Sequence, residues 1–374
     1  MRFLHLADLH LGKRLRDISF LEDQADILRQ ITHYAKRYAV DCVIIAGDIY
    51  QSANPSAEAM ALLDDFLGKL RQMQIKVFMI SGNHDSEARI AYLSHLIREA
   101  GVYTSTAFTG TLQQITMEDE HGEYVISLLP FCKPVHVRMH YPDADILTYE
   151  DAIACVMQHS PIDTEKRNLL LCHQCIAGCS VCDSEMHAVG GLDTVSAELF
   201  SAFDYVALGH LHQGQQVLRP TIRYAGSPLK YSVSECDHKK SVPLVEFGKK
   251  GEISVELLPL TPLHDMRCVE GKLEDVLQML YSEDYIQVTL TDDMVPPDAV
   301  TRLHTVFPNM LHMRIMNSRT DDDRMVFTEE RTDAFNAESL FCEFYALQNN
   351  NKQPPKAQLE LLQSYIKQLW EETP

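Results

Sequence analysis

The chain has 374 residues, 45% of them hydrophobic and 23% charged, with a formal net charge of -20. That length exceeds one ordinary core and that composition excludes a disordered or collagen-like chain, so two domains and an appendage are expected. No apolar run approaches a membrane span, Met1-Arg2-Phe3-Leu4-His5 leads straight into a strand pattern, and the acidic balance argues against tight non-specific DNA binding by the chain alone.

Arg2 to Ala7 reads as a short buried strand that stops in Asp8-Leu9-His10-Leu11-Gly12, and a helical pattern follows from about Phe20 to Tyr38. Asp41 to Ala46 is a second strand, ending in Gly47-Asp48-Ile49-Tyr50, with a helix over Ser56 to Met73. The third strand, Lys76 to Ile80, breaks into Ser81-Gly82-Asn83-His84-Asp85 before a helical pattern at Glu87 to Glu99. Strand, polar loop and helix three times over make a parallel α/β core. Thr111 to Met117 and Tyr124 to Pro130 then read as hairpin strands at the edge of a mixed sheet. Asn168 to Cys172 and Tyr205 to Leu208 are again buried strands, running into His173 and into Gly209-His210-Leu211-His212. Strand patterns at Gln216 to Leu218, Ile222 to Ala225, Val242 to Phe247 and Ile253 to Leu258 are expected to complete a second sheet. After Pro259-Leu260-Thr261-Pro262 the pattern resets to strand, helix, strand, helix, strand between Arg267 and Ile315, a small α/β module. The stretch from Ala337 to Thr373 holds two helical patterns split at Asn349 to Pro355, with Leu359, Leu362, Ile366, Leu369 and Trp370 on one face. The expected division is therefore 1–260, 261–336 and 337–374.

Five strand ends carry the same kind of group: Asp8 and His10, Asp48, Asn83 with His84, His173, and His210 with His212. The DxH and HxH spacings put two ligands on one side of an extended chain. Seven oxygen or nitrogen donors exceed one ion. They suit two divalent ions sharing a bridging carboxylate, an arrangement that activates water and clamps both oxygens of an in-line displacement at phosphorus. Asp, His and Asn ligation favours Mn, Fe or Zn over a thiolate-seeking metal. His84 is left to give or take a proton and Asp85 to orient it, the bland alternative being that Asp85 or Ser86 caps the next helix.

Other chemistry-bearing residues read more plainly. His5, His33, His95 and His136 are expected to be core or surface residues, and the ten cysteines to be reduced thiols in a cytoplasmic protein. Cys172, Cys175, Cys179 and Cys182 form a CxxC-x3-CxxC array whose three-residue spacer is short for a zinc site and whose pattern differs from ferredoxin arrays. Lys13-Arg14-Leu15-Arg16 is a basic run beside the first acidic loop, either a solvated surface or a phosphate contact.

Taken together, Asp8-x-His10, Gly47-Asp48, Gly82-Asn83-His84-Asp85, His173 and Gly209-His210-x-His212 resemble the calcineurin-like metallophosphoesterase superfamily. Leu4 to Gly12, Val206 to His212 and Tyr224-Ala225-Gly226-Ser227-Pro228-Leu229-Lys230-Tyr231-Ser232 look like its DNA-repair nuclease subunits. The resemblance covers residues 1 to about 260 by motif and the rest by arrangement. It implies two mixed β-sheets sandwiched between helices, with a small α/β capping domain that binds DNA and C-terminal helices. It also implies a Mn-dependent exonuclease on duplex DNA that is an endonuclease on hairpins and single strands. Asp8, His10, Asp48 and His212 would hold one Mn2+, and Asp48, Asn83, His173 and His210 the other. His84, oriented by Asp85, would stabilise the transition state or protonate the leaving 3′ oxygen. An ATPase partner would grip helices within Ala337 to Trp370, and helices in about Ser56 to Gly101 would make a homodimer. Archaeal relatives have a second histidine after the GD motif where this chain has Tyr50-Gln51-Ser52, so that residue's role does not transfer. The rival readings are a phosphodiesterase or phosphatase for small molecules or phosphoproteins, and a binding subunit with a vestigial centre, which the full donor set opposes.

Overall fold

The computed structural model describes residues 1–316 apart from 17, 93, 183, 184 and 186–193, together with 341, 342, 345, 354–359, 361 and 362. The chain divides into two units, Met1–Asn317 and Ser318–Pro374. The tail helices expected over 337–370 fall almost entirely outside the described residues.

In the first unit β1 (Arg2–Leu6), β2 (Cys42–Ala46), β3 (Lys76–Ile80) and β4 (Val102–Ser105) lie parallel. The largely apolar sequences of β1, β2 and β3 suit strands covered on both faces. On one face α1 (Leu21–Arg37) and α2 (Ala57–Gln72) pack their apolar stripes against Leu4, Leu6, Val43, Ile45, Val77 and Met79. Ser56 starts α2 by accepting a hydrogen bond on Oγ from the Ala59 amide at 3.2 Å. The helical pattern at Glu87 to Glu99 is interrupted, giving Glu87–Ile90 and Ser94–Glu99, a break that no glycine or proline announces.

The second sheet comprises β5 (Gln113–Asp119), β6 (Gly122–Leu129), β7 (Arg167–His173), β8 (Tyr205–Gly209), β9 (Gln215–Val217) and β10 (Arg219–Tyr224), ordered β9-β10-β8-β7-β6-β5. The β5–β6 hairpin forms one edge, as its sequence predicts, and α3 (Tyr149–Gln158) covers the outer face through Ala152, Ile153 and Val156. β11 (Ser241–Phe247) and β12 (Ile253–Pro259), expected here, belong instead to the first sheet, which runs β12-β11-β1-β2-β3-β4. The reason is the second edge of β1, whose backbone groups are buried and need partners. β11 supplies them in antiparallel register, Phe3 opposite Val245. Its Val245 and Phe247 then join Phe3, Ile44 and Phe78, which meet Ile126, Leu128, Leu169, Leu171 and Tyr205 of the second sheet in the central core. Helix layer, sheet, sheet, helix layer is the architecture the resemblance implied.

β13 (Met266–Gly271), β14 (Tyr285–Leu290) and β15 (Met310–Ile315) form a separate parallel sheet, with crossover helices α4 (Leu273–Leu277) and α5 (Ala299–His304). Val276, Ile286, Val288, Leu303 and Phe307 give it a core of its own. Among the described residues no helix is long and apolar enough to cross a membrane.

At the N-terminal end of β1 the two sheets are pinned by charge. The Asp119 carboxylate accepts from the Met1 ammonium at 2.8 Å and from Arg167, whose guanidinium also reaches the Gly248 carbonyl at 2.9 Å. Burial by itself raises the Asp119 carboxyl, but the bonds from Arg167 and the ammonium win and hold it well below the usual range. A carboxyl depressed in the folded state contributes stability above its unfolded pKa and loses it as pH falls toward the folded one. Asp119→Asn is therefore expected to cost about 1.5–3 kcal/mol at neutral pH. Urea unfolding of both proteins should show the gap narrowing below pH of about 4; a gap independent of pH would contradict the charge pairing.

Candidate metal centre

The C-terminal ends of β1, β2 and β3 in one sheet and of β7 and β8 in the other converge on one point. The candidate donors do not reach it by strand alternation, as the DxH and HxH spacings suggested. β1 stops at Leu6 and β8 at Gly209, and Asp8 (φ 52°), His10 (φ 44°), Asp48 (φ 48°) and His210 (φ 107°) all take left-handed backbone. In a residue other than glycine such a conformation costs about 1–3 kcal/mol and persists where the surroundings over-determine it. Here the loops zip together: Asp8 N donates to Gly47 O at 3.1 Å, His10 N to Asp48 O at 3.0 Å and Leu11 N to Ile49 O at 2.9 Å. His210 N donates to both Asp8 carboxylate oxygens, at 3.0 and 3.1 Å.

All seven expected donors gather there. Ligand atoms of Asp8, His10 and His212 lie within 4.8 Å of one another, as do those of Asp8, Asp48 and His173, and those of His10, Asp48 and His84. Asn83 Oδ1 is 3.1 Å from His173 Nε2 and 3.0 Å from His210 Nδ1, while His10 Nε2 is 3.1 Å from His212 Nε2. Among the described residues no such group contains a cysteine. Cys172 is buried within β7, and burial pushes its thiol well above the ordinary range.

The histidines are held from behind. His212 Nδ1 is 2.9 Å from Glu235 Oε1, and His173 Nδ1 is 2.7 Å from Ala46 O. Such partners hold a proton on Nδ1 and turn Nε2 toward the centre. Glu235, fully buried, was not found by the sequence reading; its one sign there is an acidic residue just past the Tyr224 to Ser232 stretch. Lys240 Nζ donates to its other oxygen at 2.7 Å, to His212 O at 2.9 Å and to Ser227 Oγ at 2.8 Å. Burial works to raise the Glu235 carboxyl, but the His212 bond and the Lys240 charge bring it down to about 2. Gln24 and Tyr231, also missed, brace the first loop: Gln24 Nε2 donates to His10 O at 2.8 Å and Tyr231 OH to Leu9 O at 2.5 Å. Glu235→Gln, which leaves an amide facing Lys240, is expected to weaken Mn2+ binding about 10–100-fold. Calorimetric titration checks this, and wild-type affinity would show that His212 needs no such partner.

Asp85 does not orient His84, contrary to its expected part. Its oxygens accept from Gly82 N at 2.9 Å, Ile49 N at 3.1 Å and Tyr50 N at 2.9 Å, tying the second loop to the third. His84 Nδ1 lies 3.0 Å from Gln51 O, and its backbone amide donates to Asp48 Oδ1 at 2.9 Å. Beside the centre, Lys13 Nζ sits 5.9 Å over the Tyr231 ring, and Arg14 lies on a short hairpin with Ile18–Ser19.

Burial drives His10 well below its usual pKa and His210 to about 3, so both rings are neutral and offer lone pairs. Asp48 is buried too, yet His173, His10 and His84 hold its carboxyl far below the usual range. Burial lowers His173 and His212 as well, but Asp48 carries the first up to about 9 and Glu235 raises the second, so these two rings give up a proton when they bind an ion. Imidazoles, an ionised carboxylate, an amide oxygen and a second aspartate make a donor set that fits divalent cations of borderline hardness.

A family model of calcineurin-like phosphoesterases matches residues 1–214, and one described as the type 5 capsule protein repressor C-terminal domain matches residues 262–349. The SbcD subunit of the SbcCD nuclease from Staphylococcus epidermidis is 34% identical over 319 residues, covering 83% of this chain and 84% of the relative. The protein of the same name from Staphylococcus saprophyticus subsp. saprophyticus is 32% identical, with 83% of this chain and 84% of the relative covered. A crystal structure of a Thermus thermophilus protein aligns at TM-score 0.37 and 10% identity, over 68% of this chain and 98% of its own; at that score the likeness carries no weight.

Proposed function

The chain belongs to the calcineurin-like phosphoesterases and, within them, to the SbcD family of nuclease subunits, and from that premise we propose a metal-dependent hydrolase of DNA phosphodiester bonds acting with an SbcC-type ATPase. The observation that carries the reading is the convergence of seven donors and His84 where the two sheets meet. A phosphodiesterase for small molecules is not favoured, because the likeness to nuclease subunits extends over 83% of the chain, well beyond the metal-binding loops.

Two Mn2+ ions are assigned, Asp8, His10, Asp48 and His212 holding one and Asp48, Asn83, His173 and His210 the other. When bound, such ions polarise the phosphoryl oxygens and acidify the attacking water. The chain's own residues supply the rest. His84 has a side chain 28% exposed where that of Asp48 is 4% and that of His173 is 0%, so it faces the substrate side. There it gives its proton to the leaving 3′ oxygen. Asp85 acts at one remove, by fixing the loops that carry Asp48 and His84. Lys13, Arg14 and Arg16 meet DNA phosphates, which position the strand.

The substrates proposed are duplex ends cut 3′ to 5′, hairpins and single strands, in the cytoplasm. Residues 1–260 do the chemistry, 261–336 cap the DNA and 337–374 dock the ATPase, while a homodimer forms through about 56–101, where Met60, Tyr92 and Leu96 are exposed. The test is a labelled duplex with a hairpin end, with Mn2+ or chelator, with and without the ATPase. Mn-dependent cutting supports the reading, whereas intact DNA in every condition beside hydrolysis of a small phosphodiester leaves a phosphoesterase of another kind. Truncation after Asn349 is expected to abolish ATPase binding and spare hydrolysis of a simple phosphodiester; unchanged ATPase affinity refutes the assignment of the tail.

A further inference from the structure

Cys236 and Cys268, far apart in sequence, bring their sulfurs to 3.0 Å, closer than two thiols rest in ordinary van der Waals contact. Cys236 closes the short turn Val233–Glu235, directly after the carboxylate that holds His212, and Cys268 lies on β13, the first strand of the 266–315 module. The same two backbone segments are stapled by one lysine. Lys230 Nζ donates to Cys236 O at 2.7 Å and to Met266 O at 3.0 Å, and pairs with Asp265 at 2.9 Å. The sulfurs therefore meet on a braced frame, where ring closure orders little additional chain. Cys268 is exposed and Cys236 half-buried, so a small reagent reaches them, whereas Cys42, Cys132, Cys155, Cys172 and Cys182 are buried.

We propose that Cys236 and Cys268 form a reversible thiol–disulfide site, taking a low-molecular-weight disulfide as oxidant and, once oxidised, tying β13 to the turn behind His212. The exchange balances in two steps. The Cys236 sulfur, its proton passing to solvent, attacks one sulfur of the reagent; a protein–reagent disulfide forms and one reagent thiolate leaves. The Cys268 sulfur then gives up its proton and attacks Cys236, forming the Cys236–Cys268 bond and expelling the second reagent thiolate. Two electrons pass from protein to reagent, and the two protons end on two reagent thiols. Burial and the neighbouring Cys236 push the Cys268 thiol up to about 12, consistent with its acting second, once held against the mixed disulfide.

The experiment exposes the reduced full-length protein to oxidised glutathione and maps its cysteines by mass spectrometry after alkylation. Expected are a species lighter by two hydrogens, a peptide pair joining Cys236 to Cys268, and reversal by dithiothreitol. Cys268→Ser is expected to arrest the reaction with glutathione held on Cys236. The oxidised wild type should melt several degrees higher than the reduced protein, a rise absent from Cys268→Ser. Persistent glutathione on both cysteines of the wild type, or equal alkylation of both before and after oxidant, overturns the proposal; both readouts come from the wild type and do not depend on any variant folding.

Discussion

His84→Ala is expected to lower the rate of phosphodiester cleavage about 10²–10⁴-fold, the usual worth of a positioned general acid, while the protein keeps its ions. The ring is set for that task by two contacts. Its Nδ1 lies 3.0 Å from Gln51 O, and its Nε2 is 3.9 Å from Asp48 Oδ2, which aims it at the centre. Its ligand atom also comes within 4.8 Å of His10 and Asp48, close enough for a ligand. The two roles separate in measurement. Cleavage of a labelled duplex reports the chemical step, and bound Mn2+ per chain reports ligation. A slow enzyme with a full metal complement supports the proton donor; one that has lost an ion makes His84 a ligand; wild-type cleavage excludes both.

Gly209→Ala should be nearly as damaging, for a steric reason. Gly209 ends β8 in the second sheet, and a Cβ there would overlap the Ala46 carbonyl oxygen at the end of β2 in the first, with His173 Nδ1 2.8 Å away. The Ala46 oxygen is also what His173 Nδ1 leans on, at 2.7 Å. The methyl group thus enters where the sheets touch and where the His173 ring is held. Backbone has to yield, at a cost of about 1–3 kcal/mol or more, and a displacement of about 1 Å at reacting groups costs about 100-fold in rate. Gly82→Ala meets the same obstacle at Asp48. Gly68→Ala is the internal control, since a Cβ there meets nothing within 4 Å and the residue lies inside α2. It should stabilise by up to about 1 kcal/mol. Thermal melts and cleavage rates of the three variants decide the matter. A Gly209→Ala protein with unchanged melting temperature and activity would sink the close-approach account.

Much of the site was legible because its residues stand where buried strands end. A run such as Lys76 to Ile80 that turns polar at Ser81 marks the place where side chains leave the core, and five such places carried ligand-type residues. Less legible was how they converge. Asp8 and His10 share a side through left-handed backbone imposed by hydrogen bonds from another loop. Glu235 carries no such mark, because a lone acid in a loop usually faces water, and the ring it holds, His212, lies 23 residues away on the loop after β8. Asp85 was given a partner next to it in sequence, yet it binds the loop after β2.

The strand-loop-helix repeats, the candidate donors at the strand ends and the change of pattern after Pro262 are legible in the residues alone, because periodicity and residue chemistry are local properties. Which sheet takes Ser241–Phe247 and Ile253–Pro259, that Gln51 rather than Asp85 meets His84, and that Cys236 faces Cys268 emerge from the packing of the whole chain. Those outcomes depend on which distant backbone edge or buried group lacks a partner once the core has closed, and no local pattern records that.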